Sequence, residues 1–98
     1  MPQDLVDDNP LVIDNENNYG KLNDRNWSSI IVKEKLFNEM RNELILNDFP
    51  HVQFIHIQER SFENVSKLSI LNLPELILLV IEYNSFSETT SLTLSSIF

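Results

Sequence analysis

The chain of 98 residues contains no cysteine, one glycine and four prolines. Without cysteine there can be no disulfide, no thiolate metal ligand and no cysteine nucleophile. The scarcity of glycine and proline argues against a meander of tight hairpins, because such turns draw on these residues. At this length we expect one domain at most, with a thin apolar core.

Basic residues are also few, at 7 against 15 acidic residues, which gives a net charge of −8. Because the basic residues are not clustered, a phosphate backbone would be repelled, and we expect no nucleic-acid partner. The longest apolar run, at 76–81, has six residues, whereas a helix that crosses a bilayer needs roughly 20. The start of the chain is acidic, where a secretory signal is basic. We expect no membrane insertion, and a cytoplasmic location if the chain is complete.

The sequence does contain an internal repeat. VQFIHIQERSFENVSKLSI (52–70) aligns with LILLVIEYNSFSETTSLTL (76–94) when Val52 is placed over Leu76. A third copy starts at Trp27 if one extra residue is allowed between Phe37 and Leu44. The shared frame is apolar-x-x-apolar-x-apolar-x-x-x-x-Phe, at Trp27/Ile30/Val32/Phe37, Val52/Ile55/Ile57/Phe62 and Leu76/Leu79/Ile81/Phe86. A second apolar pair follows in each copy, at Leu44/Leu46, Leu68/Ile70 and Leu92/Leu94.

Alternation of apolar residues within the frame predicts strands near 30–32, 55–57 and 79–81 that are parallel and adjacent. A single copy cannot bury its apolar face, so the copies must stack, and we expect Ile57 and Ile81 to be buried. LVI (11–13) predicts one further strand, followed by a polar loop at 14–26. Leu36, Phe37 and Met40 fall at helical spacings and predict one short helix around 34–42.

The frame resembles the leucine-rich repeat, whose signature is L-x-x-L-x-L-x-x-N-x-L with a period of roughly 20–29 residues. LILLVIEYNSF (76–86) matches it best and has Asn84 at the asparagine position, where the other copies have Lys35 and Arg60. In that family the asparagine bonds backbone groups of the neighbouring turn. With two short strands per repeat, the sequence is more similar to the divergent repeats of bacterial and protist surface proteins.

The resemblance implies an α/β or mainly β solenoid, a stack of short parallel strands with at most one short helix, open at its C-terminal end. Residues 1–26 would form an irregular N-terminal segment or a partial first turn. Residues 27–98 would form about three repeats, the last incomplete. The open end predicts either that the chain is a fragment of a longer array or that another chain covers the edge, and it would allow self-association.

Residues that could carry chemistry are sparse. DNENNYG (14–20) fails as a calcium loop, because a loop that starts at Asn15 has Tyr19 where an acidic or Asn ligand is needed and Asn26 where a Glu is needed. His51 and His56 are the only histidines, and spacing assembles neither a Ser-His-Asp arrangement nor a metal site around them. We expect no enzyme, no catalytic residue, no cofactor and no metal ion.

The function expected from these features is binding of a protein by the solvent-facing side of the strands. The alternative is a structural fragment of a longer repeat array with no binding role of its own. If the frame residues face inward, alternation turns a row of side chains outward, and the turns extend that surface. We expect a partner with a basic patch or mixed charge, and the predicted binding residues are Ile31, Lys33, His56, Gln58, Glu59, Val80, Glu82 and Tyr83.

Overall fold

A computed structural model describes residues 9–97, in which seven strands surround an apolar core. A 3₁₀ helix at Glu16–Asn23 follows the first strand. The strands are β1 (Pro10–Ile13), β2 (Ser29–Val32), β3 (Glu43–Asn47), β4 (Phe54–Ile57), β5 (Lys67–Leu73), β6 (Leu78–Ile81) and β7 (Ser91–Ile97). They form a four-stranded sheet in the order β1-β2-β4-β6 and a three-stranded sheet in the order β3-β5-β7.

From β2 onward the chain alternates between the two sheets, and the strand pairs within each sheet are parallel. Each copy of the repeated frame therefore supplies one strand to each sheet. Ser29 pairs with Phe54, and Phe54 pairs with Leu78, so the strand register follows the alignment of the sequence copies. The prediction of parallel, adjacent strands near 30–32, 55–57 and 79–81 is confirmed, and so is the strand at 11–13.

The core lies between the sheets and is made of the inward side chains of both. Ile55 and Ile57 of β4 are 0% and 1% exposed, and Leu68 and Ile70 of β5 are 2% and 0% exposed. The predicted burial of Ile57 is thus confirmed. The inward side chains of β4 and β5 are covered by the neighbouring strands on both sides.

The predicted burial of Ile81 is wrong, since this side chain is 37% exposed. β6 and β7 are the last strands of their sheets in the described part of the chain. Their inward rows therefore lack a cover on one side, and Leu92 and Leu94 are 59% and 45% exposed for the same reason.

Phenylalanines of successive copies stack on one another along one edge of the core. The Phe37 and Phe62 rings lie 4.9 Å apart with an interplanar angle of 9°, and the Phe62 and Phe86 rings lie 5.3 Å apart at 6°. Tyr19 of the 3₁₀ helix packs on Phe37 at 5.3 Å. All three phenylalanines have a positive φ, between 56° and 60°, which turns the chain toward the other sheet.

Serines take the bonding role that the family resemblance assigned to asparagine. Ser61 Oγ donates to the Lys33 carbonyl at 2.7 Å, and Ser85 Oγ donates to the Gln58 carbonyl at 2.7 Å. The Leu36 N–H in turn donates to Ser61 Oγ. Each serine therefore bonds backbone groups of the preceding copy, in turns whose frame position holds Lys35 or Arg60 in place of asparagine.

The helix predicted around 34–42 is wrong. Lys35 and Phe37 have φ values of 62° and 60°, which no right-handed helix contains. The Phe37 N–H instead donates to a carboxylate oxygen of Glu16 at 2.8 Å. The helical spacing of this segment is a coincidence, because its apolar side chains occupy turn positions of the frame. Phe37 is buried and Met40 packs against the core.

The polar loop predicted at 14–26 is also wrong, because residues 16–23 of it form the 3₁₀ helix. Asn15 caps this helix, with its side chain accepting a bond from the Asn17 N–H at 2.9 Å. Leu22 is the buried residue of the helix, at 9% exposed. The segment thus covers the β1 end of the core although it has few apolar residues. A polar sequence of this kind does not predict a helix from its hydropathy.

Candidate functional site

The candidate site is the outer face of the four-stranded sheet. Strand register places Val12 beside Ile31, Ile31 beside His56 and His56 beside Val80. Ile31, His56 and Val80 therefore lie side by side as the sequence predicted, and each is half-buried. Val12, which is 41% exposed, extends the row by one strand. Alternation along LVI (11–13) could have identified Val12 as outward-facing, since Leu11 and Ile13 on either side of it face inward.

Lys33, Gln58 and Glu82 follow directly after β2, β4 and β6. Backbone bonds keep them in register, since the Gln58 N–H donates to the Val32 carbonyl and the Glu82 N–H donates to the Ile57 carbonyl, both at 2.9 Å. Lys33 is exposed, and Gln58 and Glu82 are half-buried. These three positions thus form a polar border beside the row of Ile31, His56 and Val80.

One side-chain pair joins the row to its border. His56 Nε2 lies 2.5 Å from Glu82 Oε2, across the β4–β6 pair. The side chains of His56 and Glu82 are 24% and 41% exposed. This is a diagonal cross-strand contact of the kind that holds side chains in place on a sheet surface. It fixes the imidazole ring without burying it.

Tyr83 is the most exposed large hydrophobic side chain of this face, at 64%. Arg60 holds it in place: Arg60 Nη2 donates to the Tyr83 hydroxyl at 3.2 Å, and the guanidinium carbon lies 5.6 Å from the ring centre. Sequence reasoning missed Arg60, which occupies the asparagine position of the frame. Glu59, the predicted neighbour, is half-buried, and its carbonyl accepts a bond from the Lys35 N–H.

On the side of the row opposite its polar border, a further pair of residues adds apolar area to the face. Phe54 and Leu78 are paired in the register, and Leu78 is 43% exposed. The Phe54 ring lies 5.8 Å from the His56 ring and is tilted by 54°. The face therefore consists of apolar side chains with the His56 imidazole among them, bordered on one side by groups of both charge signs.

Two other features of the described residues concern a metal site and a cavity. Within residues 9–97, no three His, Asp or Glu side chains lie together in a group that could hold a metal ion. A cavity of about 220 Å³ lies away from the outer face, lined by Asp48, Pro50, Asn72 and Pro74. Its polar side chains are already paired, because Asn72 Nδ2 donates to Asp48 Oδ1 at 2.8 Å.

Comparisons with known proteins give no match: no family model fits the sequence, and neither curated proteins nor solved structures show significant similarity. No helix in the part of the chain that the structure describes is long and apolar enough to cross a membrane.

Proposed function

We propose that the chain is a protein-interaction module, a short solenoid of leucine-rich-repeat type that binds its partner with the outer face of the four-stranded sheet. The agreement between sequence alignment and strand register supports the solenoid, as do the stacked phenylalanines and the serine bonds between copies. Such a stack offers a wide, regular surface, which repeat proteins use for binding.

The observation that carries the proposal is the row of Val12, Ile31, His56 and Val80. Neighbouring strands lie about 4.8 Å apart, so these four side chains extend over roughly 14 Å on one surface. The row is mainly apolar and its border is polar. Protein interfaces have this arrangement, with an apolar centre and a charged, wetter rim.

Tyr83 is the proposed anchor of the interface. Tyrosine presents a large amphipathic surface with few rotatable bonds, and Arg60 already restrains this ring. Ordering Tyr83 on binding therefore loses little further entropy. If Tyr83 is a hot spot, its replacement by alanine weakens binding by about 2 kcal/mol, which is roughly 30-fold in Kd.

The charges of the face favour a partner of mixed charge. The face has the cations Lys33 and Arg60 as well as the carboxylates of Glu59 and Glu82, and Glu82 pairs with His56. A purely basic partner would meet these two cations, so charge complementarity requires acidic groups opposite them. The partner proposed is therefore a folded protein surface with both signs of charge around an apolar centre.

The test is site-specific photocrosslinking in extracts of the source cell. A benzophenone amino acid replaces Tyr83 in one sample and Ile45, which is 49% exposed on the three-stranded sheet, in the matched control. We expect a discrete protein crosslinked from position 83 and absent from position 45.

The purified partner should then bind the intact chain and lose affinity for the His56→Ala/Tyr83→Ala variant, while Ile45→Ala binds normally. Equal affinity of all three chains for that partner would remove the outer face from consideration.

A further inference from the structure

The end of the molecule formed by β6 and β7, here the β6–β7 end, presents strand edges and inward-facing side chains that the proposed function does not use. Among the described residues, both strands are the last of their sheets. Ile81 of β6 is 37% exposed, and Leu92 and Leu94 of β7 are 59% and 45% exposed. Apolar side chains and the backbone edges of two sheets are thus presented together.

The opposite end of the molecule is covered. Leu11 and Ile13 of β1 are 2% and 0% exposed although β1 is also an outermost strand. The 3₁₀ helix at Glu16–Asn23 packs beside β1, and the Arg25 guanidinium carbon lies 4.7 Å from the centre of the Phe49 ring. The two ends therefore differ, and only one of them offers uncovered apolar rows.

The β6–β7 end also lacks the devices that keep edge strands apart. Neither β6 (LLVI) nor β7 (SLTLSSI) contains a charged residue or a proline, whereas edge strands of monomeric proteins commonly have one or the other. The chain as a whole has a net charge of −8 and repels its own copies. At this end, however, no like charges on the strands would face each other when two copies meet.

We propose that the β6–β7 end is a homodimer interface, in which two copies of the chain meet end to end about a two-fold axis. A head-to-tail contact would need the end covered by the 3₁₀ helix, so the interface must be made of the same surface from both copies. A two-fold axis perpendicular to the sheets pairs β6 with β6 and β7 with β7 in antiparallel orientation. The assembly closes at two copies, because a two-fold axis uses the β6–β7 end of each copy once.

The exposed rows complement themselves in this arrangement. Residues directly opposite each other in an antiparallel pair point to the same face. With Val80 and Thr93 on the axis, Leu79 faces Ile81 of the second copy and Leu92 faces Leu94 of the second copy. The interface would thereby give these side chains the cover that Ile55, Ile57 and Leu68 receive inside one copy.

The first test is the mass of the purified chain in solution, measured by light scattering or sedimentation over a range of concentrations. We expect a species of twice 11.5 kDa that dissociates on dilution. Leu92→Lys should weaken dimerisation at least about tenfold, because a lysine on an exposed edge opposes pairing. Ile45→Lys, at a position on β3 that is 49% exposed, should leave the dimer unchanged. A chain that remains monomeric at millimolar concentration, or that forms larger assemblies without limit, would contradict the proposal.

The second test does not depend on a destabilising substitution. Since the chain has no cysteine, a single Thr93→Cys substitution places one thiol per copy near the axis, where a disulfide can form across it. Ile45→Cys is the control on the outer side of β3. Mild oxidation should convert Thr93→Cys into a covalent dimer much faster than Ile45→Cys at the same concentration. Equal rates for both would exclude the two-fold arrangement.

Discussion

Ile57 and Ile81 occupy the same position of the repeated frame but are 1% and 37% exposed. Replacement of Ile57 by alanine removes buried methyl and methylene groups and leaves a cavity, so we expect it to lower the free energy of unfolding by about 2–5 kcal/mol. In monomeric protein, Ile81→Ala should lower it by only about 1 kcal/mol or less. Urea denaturation of the two variants measures both values, and similar losses would mean that β6 is covered within one copy.

The Ser61 side chain connects two successive copies of the repeat by hydrogen bonds. It is 0% exposed, and its hydroxyl bonds the Lys33 carbonyl and the Leu36 N–H. Ser61→Ala removes the partner of both part-buried backbone groups, which should cost about 1–3 kcal/mol of stability. Ser87→Ala is the matched control, since Ser87 is exposed and has a 3.4 Å bond to the Glu63 carbonyl. Equal stability of both variants would show that the serine bonds contribute nothing.

Burial raises the pKa of the Tyr19 hydroxyl above its ordinary value of 10.0. The native state therefore holds this proton more tightly than the unfolded state does. The resulting stability is fully present below pH 10.0 and is lost as the pH rises through the folded pKa. In a Tyr83→Phe background only Tyr19 can form tyrosinate. Its ultraviolet titration midpoint should lie above 10.0 in the folded chain and return toward 10.0 in denaturant; identical midpoints would contradict the burial effect.

At the scale of the element, the turns are made without glycine. Lys35, Arg60 and Asn84 have φ values of 62°, 60° and 63°, at equivalent positions of the three copies. A residue with a Cβ is disfavoured there by roughly 1–2 kcal/mol, whereas glycine is not. The chain tolerates this strain at each copy because the residues that follow are fixed by the stacked phenylalanines.

Lys35→Gly should therefore leave the stability unchanged or raise it by up to about 1 kcal/mol. The exposed Lys33 has no positive φ, and Lys33→Gly should lower the stability by roughly 0.5–1 kcal/mol, because glycine there only adds freedom to the unfolded chain. Thermal unfolding of the two variants compares them directly. If both lose stability equally, the left-handed turn at Lys35 is not strained.

The strands were predictable because their signal is repeated and periodic. The alignment of the copies fixed β2, β4 and β6 as neighbours, and alternation fixed the outward direction of His56. The turn at 33–42 was not predictable in the same way, since Phe37 lies at a helical spacing as well as at the closing position of the frame. A local pattern cannot decide between a helix and a turn at Phe37. The contact that decides it is the stacking of Phe37 on Phe62 of the next copy.

The candidate site was predictable to the same extent. Ile31 and Val80 follow from alternation, but Arg60 was missed because its role depends on the Tyr83 ring of the next copy. The exposure of Ile81 could not be read from the frame either. Equivalent sequence positions are equivalent in burial only if each copy has neighbours on both sides, and that is a property of the whole stack.

At the scale of the whole molecule, the two proposals reinforce each other. Antiparallel pairing of two β6 strands would join two four-stranded sheets into one continuous surface, with the row from Val12 to Val80 on both sides of the axis. Two equivalent binding faces in one rigid assembly would engage a repeated or dimeric partner with higher avidity than a single copy. Leu92→Lys, which opposes dimerisation, would then weaken binding of such a partner without altering the outer face itself.

The difference between the covered and the open end also predicts a gradient of local stability along the stack. Opening of a segment is easiest where few buried contacts hold it. In the monomeric Leu92→Lys variant, amide hydrogen exchange should be slowest in β2 and β4, whose inward side chains are at most 3% exposed. It should be faster in β6 and β7, where the inward side chains are only partly covered. In the unmodified chain, exchange in β6 and β7 should slow as the protein concentration rises, because the edges become paired in the dimer. Uniform protection of all strands in the monomer would show that the β6–β7 end is held as firmly as the centre.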